Sequence, residues 1–347
     1  MKKLHFWLSL PSGLFITLIC LTGAMMVFQQ ELLEIFNKER YFTGQNIGNP
    51  LPLDSLVANV NRQLQEDTVT ALKVYARPDR CLEATLRSGA RSYVYINPYT
   101  ARITGYYNAR SGFFHKVMAL HRWLMLPGRE AGRMIVGIST LFLIVILLTG
   151  IARWWVNRSF QIKWKAGTTR KIYNLHRILG VYTAILLLVC SLSGLMWSFG
   201  WYRQGVARLF RIETRQLPKE IKKEKHSRGE AFSWQAAYDA ALAGIPDFNY
   251  MTFTPGGTIT VLRKDAIHPR ATESYRYSPE KNSIVPEQGY GANRNQSYMM
   301  GWAYVIHVGS WGGTLTRWLT FFAALIGTSL PVTGYILYFR RKLRRKK

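Results

Sequence analysis

The chain has 347 residues, with 46 Lys and Arg against 19 Asp and Glu, for a net charge of +27. That excess first suggests nucleic acid, but four windows, 4–30, 134–152, 178–202 and 318–339, contain no Asp, Glu, Lys or Arg at all. Each is 19 to 27 residues long, and a helix crosses the hydrocarbon core with ~20 apolar residues. The composition thus excludes a soluble enzyme, a disordered basic tail and a disulfide scaffold.

In chain order, residues 1–30 are expected to form a first transmembrane helix. A signal peptide is the competing reading, since Lys2-Lys3 precedes an apolar run. Residues 31–112 form a small α+β domain. Leu53, Leu56, Val57, Val60 and Leu64 recur at helical spacing over 51–66, and strand-like runs follow at 71–77, 81–87, 92–97 and 102–107. Asn97-Pro98 supplies a turn. Residues 113–155 hold an interface helix with His115 and His121, a break at Pro127-Gly128, and a second span. A loop at 156–174 leads to a third span at 175–202. A second α+β domain occupies 203–297, with a charged irregular stretch at 211–230 and a helix at 234–243. Its strands are at 250–254, 258–263 and 274–277, and Pro255-Gly256-Gly257 forms a hairpin turn. Residues 298–339 repeat the interface helix, with His307, and the span, before a basic tail at 340–347. The fold class is a membrane α-helical protein of four spans with two small α+β domains.

Charge gives the orientation. The N-terminus, the 153–177 segment and the tail carry 16 basic residues and no acidic one, while all 19 acidic residues lie in 31–133 and 203–317. Short cytoplasmic segments collect Lys and Arg. Both termini are therefore expected inside and both α+β domains outside.

The chain also repeats itself. His5 precedes Gly23 by 18 residues, as His176 precedes Gly194, and Arg133 precedes Gly150 by 17, as Arg317 precedes Gly334. Thr22, Thr149, Ser193 and Thr333 adjoin these glycines. Small residues let membrane helices approach, and the Thr/Ser-Gly pairs are read as packing positions. The unit is span, outer domain, span, twice.

The repeat pairs His5 with His176 and His121 with His307. Two imidazoles facing each other in a bundle are what a six-coordinate haem iron takes as axial ligands, so two pairs suggest two haems. Arg122 and Arg177 adjoin their histidines and are candidates to meet the propionates. An interfacial histidine is otherwise an anchor or a hydrogen-bonding core residue. His115 is an alternative ligand, although the repeat sets Gly301 opposite it. His226 and His268 read as solvated loop residues. Cys20 and Cys190 lie in spans and Cys81 stands alone, with no zinc-like spacing. No carboxylate lies inside a span, which argues against a proton-coupled transporter.

His5-Phe6-Trp7-Leu8, Thr22-Gly23, Asn97-Pro98-Tyr99-Thr100, Leu120-His121-Arg122-Trp123-Leu124, Leu175-His176-Arg177 and Thr333-Gly334 with its basic tail together resemble the PepSY-associated transmembrane family. The outer domains resemble PepSY domains; the second has Tyr277-Ser278-Pro279 in place of the Asn-Pro-Tyr-Thr run. The resemblance implies a bacterial inner-membrane protein with periplasmic domains and haem b, two haems being expected. It implies a ferric-chelate reductase that releases iron from ferric siderophores, with His5, His176, His121 and His307 holding the haem iron. The partners implied are a ferric siderophore or other ferric chelate, a cytoplasmic or quinol electron donor, and membrane lipid. Nucleic acid is not expected. The alternative is a PepSY-bearing membrane protein that regulates an envelope peptidase or assists iron transport without catalysis.

Overall fold

A charge-free run folds as a helix in lipid because only there are its peptide groups all satisfied within the segment. The computed structural model describes residues 2–44, 48–89, 91–157, 165, 167–212, 232–287 and 290–344. Its elements are α1 (Lys2–Val27), α2 (Gln29–Phe36), α3 (Lys38–Tyr41), α4 (Leu53–Leu64), β1 (Val69–Tyr75), β2 (Leu82–Leu86), β3 (Ser92–Ile96) and β4 (Ile103–Asn108). Next come α5 (Phe113–Trp123), α6 (Arg129–Asn157), α7 (Thr168–Ser198), α8 (Gly200–Leu209) and α9 (Trp234–Gly244). The chain continues with β5 (Phe248–Phe253), β6 (Thr258–Arg263), β7 (Glu273–Ser278), β8 (Ser283–Pro286), α10 (Tyr290–His307) and α11 (Gly313–Arg344). His226, most of the 211–230 stretch, most of the basic link after α6 and the last three residues lie outside the described residues.

The chain divides into two compact units. One is helical. Its α1, α6, α7 and α11 are long and apolar enough to cross a membrane. They pack as a ring: α1 against α6 and α11, and α7 against α6 and α11. Leu147, Ala184 and Leu187 are buried between them, against Leu143, Ile151 and Leu330. Leu14, Ile185 and Leu315 are 60%, 70% and 71% exposed; apolar side chains so bare suit a lipid solvent and not water. The helices overrun their expected limits. α7 begins at Thr168 and α11 reaches Arg344, because the basic residues there extend the helix and carry their charge past the apolar stretch.

The other unit is α+β. Two separate outer domains were expected; instead β1 pairs antiparallel with β5 and joins the two segments into one sheet, ordered β4-β3-β2-β1-β5-β6-β7-β8. Alternation sends Leu72, Ala84, Val94, Met251 and Ile259 to one face, where they form a single core with Leu56 and Val60 of α4 and Ala237 and Ala241 of α9. The two helices cap each other. Asp54 in the first turn of α4 accepts hydrogen bonds from Ser233 Oγ and Trp234 N at 2.7 Å, while Gln235 accepts one from Leu53 N at 2.8 Å. A carboxylate at a helix N-terminus satisfies N–H groups that have no partner within the helix. The short edge strand β8 was not expected; its Pro286 suits only an edge.

Candidate functional site

Four histidines of the helical unit share one kind of seat. His5 Nδ1 meets the Ile146 carbonyl and the Thr149 hydroxyl, both at 3.1 Å. His121 Nδ1 meets the Ile19 carbonyl at 2.9 Å and the Thr22 hydroxyl at 3.2 Å. His307 Nδ1 meets the Cys190 carbonyl at 2.8 Å and the Ser193 hydroxyl at 3.1 Å. His176 Nδ1 meets the Thr333 hydroxyl at 2.8 Å and also bonds the Leu330 backbone. Each seat is thus a carbonyl, a hydroxyl three residues on, and the adjoining glycine. Helix geometry brings the first two together on one face. The glycine leaves room for the ring: a Cβ at Gly23 or Gly194 would lie 3.3 or 3.1 Å from the imidazole Cε1.

The seat fixes the tautomer. A carbonyl can only accept, so Nδ1 carries the hydrogen. The hydroxyls already donate to their own helices, Thr22 to Leu18, Thr149 to Val145, Ser193 to Val189 and Thr333 to Leu330. Their oxygens therefore also accept from Nδ1. In the neutral ring the lone pair then sits on Nε2. No Nε2 of the four makes a hydrogen bond among the described residues, and all four rings are only half-buried. A second-sphere acceptor that holds Nδ1 and aims Nε2 is how proteins prepare a histidine to bind a metal.

The seats bring the histidines together in pairs. The rings of His121 and His307 have centroids 6.0 Å apart, and His5 and His176 are electrostatic neighbours. The pairs lie at opposite ends of the ring. His5 and Thr22, the seat of His121, are 17 residues apart on α1, about 25 Å of helix.

A comparison of the whole sequence with known families matches residues 2–341 to the PepSY-associated TM region. The chain belongs to that family. With its four apolar helices this makes it a multi-pass membrane protein. Among curated proteins nothing matches the chain.

In this PepSY-associated protein the residues fit an iron held by two imidazoles. His121 and His307, with ring centroids 6.0 Å apart and no hydrogen bond at Nε2 among the described residues, could hold a haem iron between them. Pairs of ligands, with the remaining positions supplied by a macrocycle, are what haem requires.

The other candidates are placed as follows. His115 is six residues before His121 on α5 and so about 120° round the helix from it; its ring lies 6.3 Å from Trp123, and its buried Nδ1 has no partner among the described residues. Arg122 is an electrostatic neighbour of His121. Arg177 lies over the Tyr173 ring, and its Nε is buried without a partner among the described residues.

Two readings change and one residue is added. Thr22, Thr149, Ser193 and Thr333 are more than packing positions: each holds a histidine, and their constant offset before glycine was the visible signal. Arg153, not singled out from the sequence, is an electrostatic neighbour of both His5 and His176; its place three residues after Gly150 is the only hint. His268, read as solvated, is 4% exposed, and its Nδ1 accepts the Arg270 N–H at 3.1 Å in the α+β unit. Burial lowers its pKa, and the neighbouring Arg270 cation adds to that shift.

Proposed function

We propose that this protein is an inner-membrane haem b protein that carries electrons from the cytoplasmic side to a periplasmic ferric chelate, a ferric siderophore included, and so releases the iron. The observation that supports this most is the repeated seat: two histidine pairs at opposite ends of one apolar bundle, each Nδ1 held by a carbonyl and a hydroxyl, with no hydrogen bond at Nε2 among the described residues. Haem supplies the one-electron chemistry when bound. The chain's own residues do the rest. His5 with His176 and His121 with His307 are the proposed ligands. Thr149, Thr333, Thr22 and Ser193 hold each ring in the Nδ1–H tautomer and raise the basicity of Nε2. Arg153 and Arg177 at one end and Arg122 at the other bring cations to where haem carboxylates would need them.

The basic segments set the proposed orientation, with the α+β unit in the periplasm. The same cations attract anionic lipid. The link between α6 and α7 is 158–167, too short for a flavin or nicotinamide domain of ~100 residues. The proposed electron donor is a separate protein or a membrane quinol.

The test uses sealed proteoliposomes with a reductant trapped inside and a ferric chelate outside, read by a dye for ferrous iron. Ferrous iron should appear outside only in vesicles carrying the protein. Equal rates in empty vesicles, or none in either, would remove the reductase reading.

A further inference from the structure

A short helix follows the first span of each repeat, and the two differ in charge. α2 begins one residue beyond α1 and carries Glu31 and Glu34 with no cation. α8 begins one residue beyond α7, and from Phe199 to Ile212 the sequence holds Arg203, Arg208 and Arg211 with no acid. None of these three arginines is in an ion pair among the described residues.

The neighbouring span α6 sets the depth at which α8 begins. Phe199 is extended, with φ of −124° and ψ of 119°, so α7 ends there and the chain changes direction. Phe199 is buried against α6: a Cβ at Gly137 would lie 2.6 Å from Phe199 Cζ and 3.0 Å from Ser198 Cβ. Gly137 is four residues after Arg133, the last charge before the apolar stretch of α6, or about 6 Å of helix. The turn into α8 is therefore about one helical turn inside the edge of that stretch.

Only one side of α8 is seated on protein. Ala207 is buried and Tyr202 and Val206 are half-buried, whereas Trp201, Leu209 and Phe210 are 64%, 79% and 67% exposed. With 10 residues, α8 is too short to cross the hydrocarbon core, which takes ~20. Bare apolar side chains, an exposed tryptophan and several arginines, level with the edge of the hydrocarbon, are the composition of a helix lying in the headgroup layer.

We propose that α8 docks on anionic phospholipid, with Trp201, Leu209 and Phe210 among the upper acyl chains and Arg203, Arg208 and Arg211 on the headgroups. Continuity with the lipid-facing spans identifies lipid as the occupant, and the unopposed arginines select its charge. Their long apolar stems let the cations reach the headgroups while the helix lies lower. The inference does not depend on haem or on reduction.

The test reconstitutes the full chain into vesicles of phosphatidylcholine, with or without phosphatidylglycerol, and places a nitroxide on Leu209→Cys. Power saturation reads how often the label meets oxygen, which concentrates in the acyl chains, and a polar nickel chelate, which stays in water. The unmutated chain, labelled in the same way, gives the background from Cys20, Cys81 and Cys190. Asp265→Cys, on an exposed side chain of the α+β unit, marks the aqueous limit. With phosphatidylglycerol present, oxygen should reach the Leu209→Cys label several-fold more often than nickel does, and the order should reverse at Asp265→Cys. Omitting phosphatidylglycerol, or adding Arg208→Gln with Arg211→Gln, should raise the nickel collision rate at position 209 several-fold. Nickel access equal to that at Asp265→Cys would overturn the proposal. So would poor access to both reagents, which would mean that protein covers the helix, and so would identical readings with and without phosphatidylglycerol. Should Leu209→Cys fail to reconstitute, Phe210→Cys carries the same comparison.

Discussion

The two histidine pairs have the same seat and different carriers. His5 and His176 sit near the starts of the spans α1 and α7 themselves. His121 and His307 ride on α5 and α10, helices that end before the spans α6 and α11 begin. The breaks are made differently. After α10 the chain turns on Gly309 and Gly313, with φ of 75° and 71°; after α5 it turns on Leu124 and Met125, both with φ of 55°. Glycine enters that region freely and a branched or long side chain does not. The seats differ in tightness as well. A Cβ at Gly23 or Gly194 would crowd the ring at 3.3 or 3.1 Å, whereas at Gly150 or Gly334 it would meet ordinary contact at 3.7 or 3.9 Å. The same seat is thus looser beside Gly150 and Gly334, at the histidines carried by the spans, and tighter beside Gly23 and Gly194, at those carried by α5 and α10.

Removing a ligand tests the pairing most severely. His176→Ala should lose about one haem per chain and leave the His121–His307 spectrum in place, and His307→Ala should do the reverse. Full haem retention in either variant refutes that ligand. Next is the support of α5. A Cβ at Gly132 would fall against the Trp123 carbonyl oxygen, a clash of backbone against backbone that must move α5. Gly132→Ala should cost about 3 kcal/mol or more, seen as a lower unfolding temperature, and should weaken the His121–His307 centre while sparing the other. Loss of both centres together would mean that the two ends are not independent.

Tightness itself is tested by alanine at the seats. Gly194→Ala should displace His307 and broaden or shift its spectrum, at a cost of about 1–3 kcal/mol; Gly334→Ala should leave the His176 spectrum unchanged. Similar effects at both would erase the contrast. The smallest effect concerns strain. Met125→Gly should stabilise the chain by roughly 1 kcal/mol in thermal unfolding, the left-handed penalty less the entropy of glycine. A destabilised variant would show that the Met125 side chain contributes more than its backbone costs.

Most of the helical unit was legible in the sequence, because charge-free windows report lipid directly and the His–Gly spacing exposes the repeat. The pairing of His121 with His307 followed from that repeat. The hydroxyls were visible too, but a Thr beside a Gly in a span is ambiguous until the facing helix is known, since packing and hydrogen bonding need the same small residue. The sheet was legible strand by strand but not as one sheet: nothing in Leu72 or Phe253 announces that β1 pairs with β5 across some 180 residues.

The central claim is that the two histidine pairs hold haem, and the visible spectrum of the full chain, purified from haem-replete cells, tests it most directly. Soret and α bands that sharpen on reduction are expected, with about two haems per chain and two components that separate in a redox titration. A colourless protein would contradict the claim, and a single component would remove one of the two pairs.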